Sequence, residues 1–310
     1  MKMGNKSYIK KMKKLITDPD YRFTILTNFG VYNKMSDELY LKKLFRIKFG
    51  YELNLKDPKT FSEKIQWLKL YNRKKAYIQM VDKYAVKDYV ASIIGKEYVI
   101  PTIGVWNSVD DIDFNALPAK FVLKCTHDSG GIIICKDKNA LDITAAKKLL
   151  KKALKTSYYS ANREWPYKYV VPRIIAEPYM EDSETGDLKD YKFFVFNGIV
   201  KAMYVASDRQ NKEEETKFDF FDADFNHLPF ENAHPNASAL PIKPKCFAEM
   251  KNIAERLGKN IPQVRIDLYE VDGHVYFGEI TFFHMSGLAP FVPDKWDKIF
   301  GDWIELPKKK

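Results

Sequence analysis

Through residues 1–75 the apolar positions recur at helical spacing and the polar ones fall where helices begin and end. Ser36 stands ahead of a run carrying Leu39, Leu44, Phe45 and Ile47 that stops at Gly50. Thr60 and Glu63 form a capping box before Ile65, Trp67, Leu68 and Leu70. These signals predict a mainly helical N-terminal region. Asp82 can cap one more helix through Val86, Tyr89, Val90 and Ile93 to Gly95, and extended segments follow around residues 98–106.

Beyond that point the period changes and the fold class reads as α+β. Phe121–Cys125 and Ile132–Cys135 predict two strands around the turn-rich THDSGG loop, and a helix follows over residues 144–155. Residues 157–169 are aromatic and polar without a period, and 182–187 and 209–217 read as polar linkers. Pro244 and Gly258 bracket a late helix, which separates two candidate hairpins.

The first hairpin, LKDYKFFVFNGIVKAMYV, turns at Asn197-Gly198, a pair suited to a two-residue connection. That register puts Asp190, Lys192 and Lys201 on one face and Tyr191, Phe193, Val195, Val200, Ala202 and Tyr204 on the other. The second, QVRIDLYEVDGHVYFGEITFF, allows two registers around Asp272-Gly273. A two-residue turn would pair Val271 with His274 and send Asp267 and Glu279 to opposite faces. A three-residue loop would pair Glu270 with His274 and gather Arg265, Asp267, Glu279 and Thr281 on one face. It leaves Val264, Ile266, Leu268, Tyr276, Ile280 and Phe282 as a coherent core face. Hydrophobic patterning favours the three-residue loop. Two carboxylates with an arginine suit a hard cation and a developing anion, and they also suit a surface salt-bridge network.

Two further segments offer polar groups at strand ends. Lys124 closes a strand just before Ser129, Gly130 and Gly131, where an ammonium and bare backbone could approach a phosphate. The lysine precedes the glycines, so this is not a Walker loop. In IIAEPYM a single carboxylate, Glu177, interrupts an apolar strand ahead of Tyr179, as a ligand to a nucleotide ribose, a hinge or a structural ion pair.

Bulk properties narrow the class. The 310 residues are 45% hydrophobic and 15% aromatic, enough for at least one large core and about two domain-sized units. Three unpaired-looking cysteines, Cys125, Cys135 and Cys246, predict a reduced, cytoplasmic setting. Lys201 interrupts the most apolar stretch, and the basic start lacks the features of a secretory signal, so no membrane span is expected. The net charge of +10 fits an anionic substrate or nucleotide, and equally solubility. Lys10, Lys11, Lys13 and Lys14 with Lys308 to Lys310 could bring a basic face to the inner surface of an anionic membrane, or simply be solvated. Basic residues alternate with acids and no nucleic-acid motif occurs, so no nucleic-acid partner is expected. Cys125 lacks a base partner, and His127, His274 and His284 lack metal-ligand spacing.

Taken in order, Asp82-Lys83, FVLKCTHDSGG, AEPYM, DYKFFVFNG, VRID and FGEITFFHMSGLAP resemble the ATP-grasp superfamily, and more narrowly the TupA-like ATP-grasp family of bacterial surface-polysaccharide gene sets. FSEKIQWLKLYN and FVPDKWDKIFGDWIELP extend the resemblance over about residues 40–307. It implies ATP held between two α+β subdomains, 76–175 and 176–310, after the helical region 1–75. Lys83 and Lys124 would reach the phosphates, the loop 126–131 with Ser129, Gly130 and Gly131 would close over them, and Glu177, Tyr179 and Met180 would form the adenine-side hinge. Asp267 and Glu279 would bind Mg2+, Arg265 would stabilise the transferred phosphate, and Lys192 would lie near nucleotide or substrate. Thr281 departs from the asparagine common in the family and puts a second metal position in question.

The chemistry so implied is formation of an acyl phosphate from a carboxylate and its capture by an amine. The carboxylate would belong to a uronic acid of a surface polysaccharide or its precursor, and the amine to an amino acid. A phosphotransferase on the same scaffold, or a glycosyltransferase in the same pathway, are the alternatives.

Overall fold

The computed structural model describes residues 12–184, 186, 188–207 and 215–309. Lys10, Lys11, Lys310, Thr185, Asp187 and residues 209–214 of the predicted polar linkers lie outside the described residues. The N-terminal region carries the helices α1 (Pro19–Asn28), α2 (Asp37–Phe49) and α3 (Phe61–Tyr71), with a further helical stretch over residues 12–17 ahead of them. Ser36 caps α2, Gly50 ends it with left-handed backbone, and the Thr60/Glu63 box at the start of α3 makes both of its reciprocal bonds. α3 is buried on nearly every side, because it is also covered by α9 (Lys295–Asp302) from the far end of the chain. Asp297 of that last helix accepts bonds from Ser62 N at 2.8 Å and Ser62 Oγ at 3.0 Å.

Two short helices, α4 (Ala76–Val81) and α5 (Val86–Ile94), lead to a four-stranded antiparallel sheet. Its strands are β1 (Gly104–Trp106), β2 (Phe121–Cys125), β3 (Ile132–Cys135) and β4 (Ile174–Pro178), in the order β1-β4-β2-β3. α6 (Ile143–Leu154) and α7 (Tyr158–Asn162) lie between β3 and β4 in sequence. Apolar side chains of β2, β4 and α6 make a small core of their own around Phe121, Leu123, Leu150 and Ile174.

The second sheet has six strands in the order β11-β10-β5-β6-β7-β8: β5 (Asp190–Phe196), β6 (Ile199–Ser207), β7 (Lys217–Asp222), β8 (His227–Leu228), β10 (Val264–Val271) and β11 (His274–Thr281). β9 (Glu231–Asn232) and β12 (Phe291–Val292) form a separate two-stranded ribbon. α8 (Phe247–Leu257) covers β5, β6 and β10. The core of this sheet is continuous with side chains of α3, α4, α5 and α9 and is the largest in the molecule.

Both hairpins depart from the expected registers, and for the same reason. At Asp272-Gly273 the turn has two residues with left-handed backbone, φ 51° and 75°, and Val271 does pair with His274. That alone would separate the two acids. A bulge then shifts the register: Leu268 pairs with Phe277, but Asp267 pairs with Glu279 and Arg265 with Thr281. Gly278 is the extra residue, and a Cβ there would come within 2.9 Å of the Tyr269 ring and 3.0 Å of the Asp267 carbonyl. The acids therefore share a face, as expected, through a bulge and not through a three-residue loop. The part of β11 between turn and bulge has opposite parity, so Val275 and Phe277 are buried and Tyr276, expected in the core, is not. In the Asn197-Gly198 hairpin a bulge at Lys201 pairs Phe194 with Ala202 and Lys192 with Tyr204. Lys201 is exposed and parts from Asp190 and Lys192, and Tyr204 joins their face instead.

Candidate active site

The two sheets face each other across a cavity of about 150 Å³. One wall comes from the first sheet and its flanks: Lys83 and Lys87, Lys124 at the end of β2, Ser129 in the following loop, and Glu177 on β4. The opposite wall comes from β5, β10 and β11 with Asp190, Lys192, Asp267 and Glu279. Val99, Ile100, Ile132 and Phe277 add apolar surface. Four ammonium groups and four carboxylates thus line one cavity, an arrangement that can hold a polyanion together with a cation.

On the first wall, Glu177 sits between Lys124 at 2.6 Å and Lys87 at 2.5 Å. The pairing follows from β-strand geometry, since β2 and β4 are neighbours and Glu177 stands opposite Val122, two residues before Lys124 and on the same face of the strand. Burial pushes the Glu177 carboxyl up, but the two ammonium groups outweigh it and hold the group below its ordinary range. Desolvation draws the Lys87 ammonium down, and the carbonyl of Ile100 at 2.7 Å and the Thr102 hydroxyl at 2.8 Å complete its bonds. Lys83 donates to the Asp128 carbonyl in the 126–131 loop and lies 3.8 Å from Glu279 across the cavity. Its own N–H bonds Thr126 O at 3.1 Å, which fixes the base of α5 to the loop.

The loop itself is braced from within. Gly131 N–H donates to Asp128 Oδ1 at 3.1 Å, and a side chain at Gly131 would collide with Cys125 and Ala153 at 2.7 Å. Gly130 has open space where a Cβ would stand. Burial pushes the Cys125 thiol up to about 12, which keeps it protonated and consistent with a packing role.

On the second wall, Asp267 is the buried centre, with a side chain 2% exposed. Arg265 grips it with two bonds, Nε to Oδ1 at 2.7 Å and Nη2 to Oδ2 at 2.8 Å, and Lys192 donates to Oδ2. Lys192 also reaches Asp190 at 2.6 Å. Burial alone would raise the Asp267 carboxyl, but Arg265 and Lys192 overcome it and hold the group at about 2. Glu279 faces the cavity at 31% side-chain exposure. Thr281 Oγ1 accepts a 3.0 Å bond from Arg265 Nη2.

Of the residues singled out in the sequence, Lys83, Lys124, Ser129, Glu177, Lys192, Asp267 and Glu279 line the cavity. Arg265 and Thr281 share the strand face of the two acids. Tyr179 and Met180 follow the end of β4 and are outside the lining, and the Tyr179 ring lies 5.7 Å and 5.5 Å from the Lys120 and Lys136 ammoniums. Three contributors escaped the sequence reading. Lys87 stands four residues after Lys83, a spacing that could have marked it as sharing a helix face. Tyr158, from the aperiodic aromatic segment, has its hydroxyl pushed up chiefly by the Glu164 carboxylate and by burial, with Ser129 drawing it the other way. His284 sits behind Arg265. Neither of the last two has a local motif.

A divalent cation can be tested against these donors. Among the described residues no cluster of three or more His, Cys, Asp or Glu surrounds a common point. Mg2+ needs fewer, since it takes one or two carboxylates with water and substrate phosphates. Asp267 uses about three of its four lone-pair sites on Arg265 and Lys192, leaving capacity at Oδ1, and Glu279 pairs directly across from it. Two carboxylates on adjacent strands, beside ammoniums able to hold phosphate, fit such an ion.

No curated protein matches the chain. Solved structures resemble it distantly. One is the D-alanine-D-alanine ligase from Helicobacter pylori, 16% identical, covering 79% of this chain and 69% of that one with a TM-score of 0.43. Another is the ATP complex of the Bacillus anthracis D-alanine–D-alanine ligase, 14% identical over 74% of this chain and 66% of that one, TM-score 0.42. A third is the ATP-grasp ligase PsnB with a precursor variant, Mg and ADP, 11% identical over 71% of this chain and 58% of that one, TM-score 0.40. The sequence itself matches TupA-like ATP-grasp over residues 63–305, which takes in every strand and both walls of the cavity. By that match the chain belongs to the TupA-like ATP-grasp family.

Proposed function

We propose that the protein is an ATP-dependent carboxylate–amine ligase. The observation that carries this reading is the pairing of Asp267 with Glu279 on one strand face, with Arg265 beside them and Lys83 and Lys124 across the cavity. Lys83, Lys124 and the loop at Ser129, Gly130 and Gly131 would bind the phosphates, with Glu177 holding Lys124 toward them. Glu177, Tyr179 and Met180 would form the adenine side, and Thr281 would brace Arg265.

Asp267 and Glu279 would hold Mg2+, which when bound neutralises phosphate charge. The substrate carboxylate attacks the γ-phosphorus, the bond to the β-phosphate oxygen breaks, and ADP leaves. Arg265 offers an N–H to the transferred phosphoryl oxygens, and Lys192 balances the charge of Asp190 and Asp267. An amine then attacks the acyl carbon, phosphate departs, and the amine loses its proton to give an amide. Positioning and charge neutralisation are what this chemistry mainly requires, and no covalent nucleophile is involved.

The carboxylate we assign to an anionic sugar such as a uronic acid, and the amine to an amino acid. The basic charge of +10 and the ammonium groups of Lys83 and Lys124 in the cavity support an acidic substrate. No helix among the described residues is long and apolar enough to cross a membrane. Lys14 already pairs with Asp18 at 3.7 Å and Lys309 lies over Tyr71, so membrane contact through the basic ends would compete with these.

Incubation with Mg-ATP, candidate uronic acids and amino acids, followed by mass spectrometry, tests the reading. A condensation product that requires both partners, with stoichiometric ADP and phosphate, is expected. A stable phosphorylated sugar formed without amine would replace the ligase by a phosphotransferase.

A further inference from the structure

The guanidinium of Arg265 has five N–H groups, and the structure accounts for four. Nε and one Nη2 hydrogen go to Asp267, the other Nη2 hydrogen goes to Thr281 Oγ1, and one Nη1 hydrogen meets His284 Nδ1 at 2.9 Å. Among the described residues nothing takes up the second Nη1 N–H, which remains for a ligand. Arginine cannot accept a hydrogen bond, so Nδ1 of His284 must be bare and its proton must sit on Nε2.

Nε2 lies 3.0 Å from Asn232 Oδ1. The amide of Asn232 is itself oriented, because its Nδ2 donates to the carbonyls of Ala289 at 2.9 Å and Pro290 at 3.2 Å. These partners are fixed by the β9–β12 ribbon, where Asn232 pairs with Phe291. Backbone carbonyls thus set the amide, the amide sets the imidazole tautomer, and the imidazole occupies one side of the arginine. The His284 ring is buried at 1% exposure, edge-on to Phe194 at 4.9 Å. The turn that carries it is held from α3, where Gln66 Nε2 and Lys69 Nζ both donate to Ser286 O, at 3.0 Å and 2.8 Å.

The choice of a neutral acceptor has a consequence. A carboxylate in place of His284 would add a second negative charge beside a guanidinium already paired with Asp267, and an imidazolium would present a donor and a like charge to it. A bare imidazole nitrogen fixes the guanidinium while leaving its charge unaltered. We propose that His284, held as the Nε2–H tautomer by Asn232, is a positioning residue that aims the last free N–H of Arg265 at the reacting phosphoryl or carboxylate oxygen. Burial first and the Arg265 charge second press the imidazole pKa well below its ordinary value, in keeping with a neutral ring. The catalytic half of this proposal rests on the ligase reading, and the tautomer half does not.

Two measurements test it. The long-range proton–nitrogen spectrum of the uniformly labelled protein, with His284 assigned through His284→Asn, should show a neutral Nε2–H imidazole at neutral pH. A Nδ1–H tautomer or an imidazolium would overturn the proposal whatever the enzyme does. In Mg-ATP turnover followed by ADP release, His284→Leu should lower kcat by about 10- to 100-fold with the KM for Mg-ATP little changed. His284→Asn, which returns an acceptor near the Nδ1 position, should recover much of that loss. Equal rates for the two folded variants, or a loss confined to KM, would overturn it. If wild type turns over no ATP, the ligase reading fails and the tautomer result still stands by itself.

Discussion

Each wall of the cavity is built on one buried carboxylate bridging two cations, and the two bridges differ in what they leave free. On the first wall Glu177 joins Lys87 and Lys124, whose side chains are 13% and 21% exposed. On the second Asp267 joins Lys192 and Arg265, at 9% and 10%, and Lys192 is taken up again by Asp190. The first bridge thus holds a partly solvated ammonium at the edge of the cavity, while the second is more deeply buried and offers the remaining lone pair of Asp267 together with Glu279. The cores differ in the same sense. The first sheet rests on a small cluster of its own, whereas the second is continuous with the helices from both ends of the chain. A wall that presents a partly solvated ammonium can be small and local. A wall that keeps an arginine and two acids in register needs the larger core behind it.

The largest break in this comparison should come from Asp267→Asn. Removing that charge leaves Arg265 and Lys192 buried without their common partner, and denaturant unfolding should record a loss of about 3–5 kcal/mol, together with loss of Mg-ATP turnover. Glu177→Gln, whose cations are nearer solvent, should cost less in the same measurement.

The acid limb of stability carries the next effect. The folded Asp267 carboxyl, at about 2, lies below its ordinary 3.8, so its contribution is present above the higher value and is lost as pH falls through the lower one. The shift corresponds to roughly 2 kcal/mol, lost between about pH 4 and pH 2. Thermal unfolding against pH should show this limb in the wild type and a flatter one in Asp267→Asn.

Gly278→Ala sharpens the comparison from the backbone side. The added methyl meets the Tyr269 ring and the Asp267 carbonyl, so the bulge must shift, at about 1–3 kcal/mol by denaturant unfolding. Mg-ATP turnover should fall with it, because the bulge sets Asp267 against Glu279. The smallest effect on stability is expected for Glu279→Gln. Its side chain is 31% exposed and among the described residues its one ion pair is with Lys83 at 3.8 Å, so unfolding should change within about 0.5 kcal/mol while turnover is lost.

Much of this was legible in the sequence, and the gaps have physical causes. Helix starts at Ser36 and Thr60 were readable because capping is local. The shared face of Arg265, Asp267, Glu279 and Thr281 was reached, but through the wrong turn. Asp272-Gly273 makes the two-residue connection its composition favours, and the correction comes from Gly278, whose bulge depends on Tyr269 and the Asp267 carbonyl across the ladder. The same holds for Lys201, an extra residue that alternation alone assigns to the wrong partners. His284 and Asn232 are 52 residues apart and carry no motif, so only the folded ribbon brings them together.

The most direct test of the central claim is the affinity of Mn2+ in the presence of a non-hydrolysable ATP analogue, read by electron paramagnetic resonance. The account predicts one tight nucleotide-dependent Mn2+ in the wild type and its loss in Glu279→Gln, with the fold unchanged. Undiminished Mn2+ binding in that variant would contradict a metal held between Asp267 and Glu279.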